Sequence, residues 1–221
     1  PEAGIRDAQE SRGLGDVYKR QTQIMAGQAI KSAVEAHRRS MPYCMGSLYW
    51  QLNDCWPVAS WSSLDYDGNW KALHYYAREF FSSVLISVLE KDDNLYIFVV
   101  NDGESFEQAE LEVKLIRFDG ELVNSEKVEI TIPANASSEV YKIATSMLLK
   151  DADSDNVLLR SSVTFNSKTI SSNDYTFVRP KDLKLPKQDF SFDYKKEHGK
   201  HIIYIAVSYT HLRAHETPEH L

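Results

Sequence analysis

Between residues 83 and 180 the sequence consists of short runs in which apolar and polar residues alternate. Alternation with a period of two is typical of β-strands that bury one face, and the Gly, Asn, Asp and Pro residues between the runs favour tight turns. Seven such runs in close succession predict an antiparallel β-sandwich of immunoglobulin-like size. The runs are VLISVLE, NLYIFVVND, AELEVKLIRF, LVNSEKVEITI, SEVYKIAT, NVLLRSSVTF and DYTFVRP.

The part of the chain before the predicted sandwich has a helical period instead. Residues 22–39 predict an amphipathic helix, residues 45–52 predict a short strand buried on both faces, and residues 70–81 predict a second helix. Helix, strand, loop and helix form the unit of a parallel α/β fold, and this unit occurs once. We expect the first helix to bury Ala26, Ile30, Ala33, Val34 and His37, and the second to bury Trp70, Leu73, Ala77, Phe80 and Phe81.

The two ends of the chain share neither pattern. Residues 11–21, SRGLGDVYKRQ, resemble the translation of a transposase adapter oligonucleotide used in short-read sequencing. Residues 207–217, VSYTHLRAHET, resemble the translation of its opposite strand. We therefore predict that residues 1–21 and 207–221 are adapter-derived and exclude them from the interpretation of the fold. Both natural ends are then missing, so the chain carries no information about a signal peptide.

Charge and composition exclude several classes of function. The chain has 25 Lys and Arg residues against 32 Asp and Glu, a formal net charge of -7, and no basic cluster that could bind nucleic acid. No apolar run approaches the roughly 20 residues that span a bilayer, so we predict no membrane partner. Cys44 and Cys55 match neither a disulfide framework nor a zinc pattern and are expected to be buried free thiols. No cofactor and no metal are predicted.

All four tryptophans lie in residues 46–71, which we call the tryptophan segment. Side chains at the C-terminal end of a barrel strand face the ligand side, where an indole can stack on a sugar ring and Asn or Asp can hold its hydroxyls. The candidate substrate-binding residues are therefore Trp50, Asn53, Asp54 and Trp56. Alternatively, the tryptophans are core and interface anchors, and Asn53 and Asp54 cap a turn.

The run GSLYWQLNDCWPVASWSSLDYDGNWKALHYYAREFF resembles the last strand and helix of the catalytic barrel in family 2 glycoside hydrolases, most closely the β-mannosidase-like members. TQIMAGQAIKSAVEAHR resembles the preceding helix, the alternating region is similar to the domain after the barrel, and LKLPKQDFSFDY resembles the entry to the last domain. The resemblance implies an α/β plus β architecture. Residues 22–82 would be the last βα unit of a TIM barrel, 83–180 an immunoglobulin-like β-sandwich, and 181–206 a truncated further β domain.

The resemblance also implies a function for the parent protein. It would be a retaining exo-glycosidase that hydrolyses terminal β-D-mannosyl residues of oligosaccharides or glycans without a cofactor. In the family, the tryptophan at the place of Trp50 lines the subsite for the terminal mannose, and Asn53 and Asp54 belong to the same strand end. The two catalytic glutamates precede residue 22 in the family's order. We therefore expect no catalytic residue in this chain, missing upstream domains as its partner, and a periplasmic, secreted or lysosomal location.

Two alternatives remain open from the residues alone. The parent could be a family 2 enzyme that prefers a β-galactoside or a β-glucuronide. The chain could instead be a carbohydrate-binding or structural β-sandwich module. An upstream reading frame with two strand-end glutamates favours the enzyme, mannose affinity of the isolated chain favours the binding module, and tandem sandwiches favour a structural role.

Overall fold

The computed structural model describes the backbone of residues 2–186, 190–197 and 200–207, and the side chains of residues 21–186, Tyr194 and Lys196. Two helices come first, then strands that form a sandwich, and finally a two-stranded hairpin. The elements are α1 Glu2–Arg39, α2 Ala72–Phe80, β1 Val84–Lys91, β2 Asn94–Asn101, β3 Phe106–Arg117, β4 Leu122–Ile132, β5 Ala136–Ala144, α3 Thr145–Leu149, β6 Val157–Phe165, β7 Lys168–Tyr175, a 3₁₀ turn Pro180–Asp182, β8 Phe190–Glu197 and β9 Lys200–Val207.

The predicted β-sandwich is confirmed. One sheet has the strand order β1-β2-β5 and the other β4-β3-β6-β7, with antiparallel pairing throughout. Alternate residues of the central strands are buried between the sheets, among them Leu95, Ile97 and Val99 of β2 and Leu111 and Val113 of β3. Burial with a period of two is the physical reason why the alternating runs predicted this fold.

The seventh strand lies earlier in the chain than its predicted run, DYTFVRP. The structure forms β7 from Lys168–Tyr175, directly after a two-residue turn. Asn166 and Ser167 make this turn with φ values of 50° and 62°, the left-handed pair that a type I′ hairpin requires. The prediction was wrong because the turn sets the register of this edge strand, whose polar SSN residues show no apolar alternation.

Helix α1 contains the helix predicted for residues 22–39 and continues back to Glu2. Its buried face differs from the predicted one, because the periodicity counted only apolar residues. The helix instead buries a glycine against α2 and two charged residues that have partners on neighbouring elements. The buried residues are Gly27, Val34, Glu35 and Arg38, Ile30 is half-buried, and Ala26, Ala33 and His37 are exposed.

The second predicted helix is confirmed as α2, which packs on α1. Its apolar face forms a small core with α1, separate from the core of the sandwich. Three of the five residues predicted to be buried are buried. These are Leu73, Ala77 and Phe80, which contact Val34, whereas Trp70 and Phe81 each remain 44% exposed.

Gly27 allows α1 and α2 to approach closely. A Cβ at this position would overlap with Cδ2 of Tyr76, so Gly27→Ala forces the ring to move. We expect a cost of about 1–3 kcal/mol from overpacking, against a gain of about 1 kcal/mol in helix propensity. In a Tyr76→Ala background the same substitution should stabilise the chain. Urea unfolding followed by tryptophan fluorescence measures both effects, and the same sign in both backgrounds would contradict this account.

Arg38 joins α1 to the start of the sandwich. Its guanidinium donates hydrogen bonds to the backbone carbonyls of Phe80 (2.7 Å) and Ser82 (2.8 Å) and to the Asp102 carboxylate (2.7 Å). Burial lowers the pKa of Arg38, and Asp102 opposes that effect. One side chain therefore satisfies the carbonyls at the end of α2 and connects them to the end of β2.

Glu35 makes a second buried connection, one helical turn before Arg38. The Ser87 hydroxyl of β1 donates to its carboxylate at 2.7 Å, and Asn173 of β7 donates at 3.3 Å. Lys31 and Arg39 lie 3.6 Å and 3.8 Å from the same carboxylate. The negative charge is thus buried with two cations and two hydrogen-bond donors, which is the condition under which a buried carboxylate is tolerated.

The hairpin predicted for residues 190–206 is confirmed as β8 and β9. Of the predicted adapter-derived end, residues 208–221 lie outside the described residues. The domain boundary after residue 21 stays a prediction, since α1 is continuous across it. None of the helices in the described ranges is both long and apolar enough to span a membrane.

Candidate functional site

The tryptophan segment does not form the strand predicted for residues 45–52. The chain there has no regular structure, and an isolated parallel bridge joins Asn53 to Leu64. A buried parallel strand needs hydrogen-bonded neighbours along both of its edges, and among the described residues only Ser63 and Leu64 form backbone hydrogen bonds with residues 51–54. Leu48 and Trp50, which the prediction buried, are therefore exposed.

Asp54 is the buried member of the four predicted site residues. Its side chain is only 1% exposed, and one carboxylate oxygen lies 2.7 Å from Nζ of Lys71. The Ser60 hydroxyl donates to the other oxygen, and Lys71 also donates to Ser62 at 2.7 Å. These contacts, which we call the Asp54 clamp, connect the loop after Asn53 to the residue that precedes α2. The carboxylate is therefore committed to contacts within the chain.

The Asp54 clamp predicts a transition at low pH. Lys71 first, and Ser60 second, lower the pKa of the Asp54 carboxyl from 3.8 to about 2. A group with a depressed folded-state pKa contributes stability that is present above its unfolded pKa and is lost as the pH falls through the folded value. We expect the tryptophan segment to loosen between about pH 4 and pH 2.

Tryptophan fluorescence during an acid titration measures this transition, since all four tryptophans belong to the segment. Asp54→Asn should remove the part of the transition that depends on the clamp. The exposed Asp67→Asn is the matched control and should titrate like the unmodified chain. Identical titrations for Asp54→Asn and the unmodified chain would contradict the prediction.

The other three predicted residues lie on the surface of the tryptophan segment. Trp50 and Trp56 are 77% and 60% exposed, and Asn53 is also exposed. The Asn53 amide donates to the Asp54 carbonyl at 3.2 Å. The structure thus leaves two indoles and one amide accessible to a ligand while it buries the neighbouring carboxylate.

Ser63 organises the interior of the tryptophan segment and was not predicted. It is fully buried, and its hydroxyl donates to the Leu52 carbonyl at 2.8 Å. The same oxygen lies 2.9 Å from the Tyr49 hydroxyl and 3.1 Å from Nδ1 of His74. A serine beside a histidine can be a nucleophile and its base, but this hydroxyl is inaccessible to a substrate. Its role is to connect the segment to α2.

Trp70 precedes α2 and packs against side chains of its first turn. Its ring lies 4.3 Å from that of His74 and 5.0 Å from that of Tyr75, both at steep angles. The Arg78 guanidinium lies 5.8 Å from its centroid. These contacts agree with the interpretation of Trp70 as a packing residue, whereas Trp61 is 68% exposed.

Two clefts among the described residues lie away from the tryptophan segment. They measure about 490 Å³ and 460 Å³ and run between α1 and the sandwich, and none of the four predicted site residues lines them. Within the described residues, no group of three His, Cys, Asp or Glu side chains could hold a metal ion. The residues common to both clefts are Gln28, Lys31, Glu35, Asn173 and Asp174.

Comparison with known proteins gives matches of three kinds. Residues 93–182 match the family model of the mannosidase Ig/CBM-like domain. The β-mannosidase of Capra hircus is 41% identical over 138 residues, which cover 58% of this chain and 16% of that protein. The β-mannosidase of Rattus norvegicus is 32% identical over 169 residues, which cover 71% and 19%.

Solved structures extend the match beyond the sandwich. The crystal structure of the β-D-mannosidase from Dictyoglomus thermophilum has a TM-score of 0.68 and 29% identity, and the match covers 84% of this chain and 23% of that one. The exo-chitosanase from Amycolatopsis orientalis, 18% identical with a TM-score of 0.58 over 86% of this chain, shares the fold alone.

Residues 93–182 of the sandwich are thus similar to the immunoglobulin-like domain of mannosidases. The predicted resemblance to family 2 glycoside hydrolases is confirmed, and the chain is similar to a segment of β-mannosidases. It spans between 16% and 21% of the length of the curated relatives that it matches.

Proposed function

We propose that the parent protein is an exo-β-mannosidase that hydrolyses terminal β-D-mannosyl residues of oligosaccharides or glycans. The likeness to the Dictyoglomus thermophilum β-D-mannosidase carries this proposal, because it combines 29% identity with a TM-score of 0.68 over 84% of the chain. The proposed reaction retains anomeric configuration. One glutamate attacks the anomeric carbon, a second protonates the leaving oxygen, and water then releases mannose. We assign neither glutamate to this chain.

We assign residues 22–82 to the last βα unit of a (β/α)₈ barrel, 83–180 to the immunoglobulin-like sandwich and 181–206 to the start of another β domain. The two helices on either side of the tryptophan segment support the first assignment. The many large apolar side chains that this segment leaves exposed support it too, because upstream domains of the parent would cover them. Residues 1–21 and 207–221 are assigned to adapter sequence.

The proposed sugar site is one wall of a pocket that the parent completes. Trp50 stacks on the C–H face of the terminal mannose, and Trp56 borders the same subsite. Asn53 holds a hydroxyl, while Asp54 acts through its ion pair with Lys71, which keeps the loop against α2. The exposure of the two indoles and the burial of the carboxylate support this division of roles.

The proposed ligand is a mannose-containing oligosaccharide or glycan, and the proposed structural partner is the upstream part of the same protein. The net charge of -7 supports the exclusion of nucleic acid as a partner. We propose no membrane partner, and a secreted, lysosomal or periplasmic location where glycans are degraded. The likeness to β-mannosidases supports this location.

The direct test is to recover the reading frame that contains residues 22–206, express the whole parent protein and measure hydrolysis of p-nitrophenyl glycosides. We expect the highest kcat/KM with the β-D-mannoside. A higher value with the β-galactoside or β-glucuronide would contradict the proposed substrate. Absence of hydrolysis with mannose binding by the isolated chain would favour a binding module.

Trp50→Ala in the parent protein is expected to lower kcat/KM for the β-mannoside by about 10- to 100-fold, because the aromatic platform under the sugar is lost. Trp61→Ala is the matched control. It removes another largely exposed indole outside the proposed site and should change kcat/KM by less than about 3-fold. Equal effects of the two substitutions would remove Trp50 from the site.

A further inference from the structure

The sequence Asn135-Ala136-Ser137 is an N-glycosylation sequon at the connection between β4 and β5. Asn135 is exposed and has a left-handed φ of 49°, which asparagine tolerates better than most residues. Its backbone N–H donates to the Gly103 carbonyl at 3.2 Å. Among the described residues, no hydrogen bond engages its side-chain amide.

A rigid support holds this connection. The Asn101 side chain is fully buried, and its amide donates to the carbonyls of Glu104 (2.7 Å) and Pro133 (3.0 Å). Its side-chain oxygen accepts from the Gly103 backbone at 3.0 Å. The two loops at this end of the sandwich are therefore tied together beneath Asn135, which projects from them.

Ser137 is the unusual member of the sequon. Its hydroxyl oxygen is buried beside β2, where Ser137 pairs with Val100, and it has no hydrogen-bond partner among the described residues. A buried hydroxyl without a partner destabilises the folded state, and alanine would fit the same space without that cost. Packing therefore gives no reason for serine here, whereas a sequon requires a hydroxyl at this position.

We propose that Asn135 is an N-glycan acceptor, an inference that rests on the proposed passage of the parent through a secretory pathway. An oligosaccharyltransferase uses a lipid-diphosphate-linked oligosaccharide as co-substrate. The amide nitrogen of Asn135 forms a bond to the anomeric carbon of the first sugar, the bond from that carbon to the diphosphate oxygen breaks, and the amide loses one proton. The lipid diphosphate is the leaving group.

The burial of the Ser137 hydroxyl also determines when the transfer occurs. The transferase has to reach this hydroxyl to recognise the sequon, and the folded sandwich covers it. Transfer therefore precedes closure of the β4–β5 connection over β2. The unfolded chain is a substrate, and the folded chain is refractory although its acceptor amide is exposed.

The first experiment expresses the whole chain behind a signal peptide in a eukaryotic secretory host and follows its mass before and after peptide N-glycanase. We expect a single glycan at Asn135, lost in Asn135→Asp and in Ser137→Ala and kept in the matched control Ser138→Ala. Aspartate tolerates the left-handed backbone at this position as asparagine does. Loss of the glycan in Asn135→Asp is therefore due to loss of the acceptor amide. A secreted chain without a glycan at Asn135 would overturn the proposal.

Two further measurements test whether Asn135 itself is recognised and whether transfer requires the unfolded chain. Lys168→Thr creates a sequon at the exposed β6–β7 turn, and a glycan there with Asn135 unmodified would show that Asn135 itself is not recognised. In a microsomal extract, urea-unfolded chain should accept the glycan and folded chain should not. Equal transfer to both would overturn the proposed timing. None of these readouts depends on hydrolytic activity, so they stand apart from the test of the β-mannosidase proposal.

Discussion

Replacing Arg38 with methionine should lower the free energy of unfolding by about 2–6 kcal/mol, because two backbone carbonyls lose their donor at about 1–3 kcal/mol each. Methionine keeps the apolar stem but loses the hydrogen bonds to the Phe80 and Ser82 carbonyls and to Asp102. The carbonyl groups would then lack a donor near the fully buried ring of Phe80. Urea unfolding followed by tryptophan fluorescence and far-UV circular dichroism measures the loss.

Arg179→Met is the matched control for this substitution. The Arg179 side chain is 73% exposed and pairs with Asp182 on the surface, a contact worth at most about 1 kcal/mol. Because the tryptophans precede the sandwich, their fluorescence should respond first in the Arg38 variant if its main effect is to detach the helices. Equal losses for the two arginine variants would mean that Arg38 does not connect α1 to the sandwich.

Leu111→Ala should destabilise the sandwich by about 2–5 kcal/mol, through lost burial and the cavity left behind. Leu111 is fully buried on β3, which pairs with β4 on one side and β6 on the other. The core around it is formed by both sheets, so neighbouring side chains cannot close the space without moving a strand. The loss should appear in the circular dichroism transition of the sheets.

Leu122→Ala removes the same atoms from a site on the adjacent strand β4 that is 53% exposed. We expect its effect to stay within about 0.5 kcal/mol, as for most surface substitutions. Both residues are leucines of the same sheet, Leu111 inside the central strand β3 and Leu122 at the start of the edge strand β4, so the difference reports mainly their burial. A similar loss for both would show that the side chain of Leu111 is not enclosed as the structure describes.

The predicted sandwich followed from the sequence because its strands bury one face each. The alternation in NLYIFVVND, for example, places Leu95, Ile97 and Val99 on one side, and the structure buries that side. The last strand was mispredicted because its polar residues carry no such pattern and its register comes from the turn at Asn166 and Ser167. A turn of two left-handed residues is recognised far more easily once the pairing is known.

The residue types of the candidate site could be predicted from the sequence, but its backbone structure and its contacts could not. The aromatic and amide residues Trp50, Asn53 and Trp56 are present and exposed, but the strand predicted to carry them is absent. The pairing of Asp54 with Lys71 joins residues that are 17 positions apart in the chain. No local pattern marks such a contact, because it depends on how the segment turns back towards α2.

The sequence by itself determined the alternating strands, the two helices and the concentration of tryptophans, because these depend on hydrophobic period and residue type along a continuous stretch. The tertiary structure alone decided which polar groups are buried. Glu35 and Arg38 face inward because partners on distant strands and on the end of α2 satisfy their charges and hydrogen bonds. Asp54 is buried for the same reason. Burial of a charge is tolerated only where the fold places its ion-pair and hydrogen-bond partners beside it.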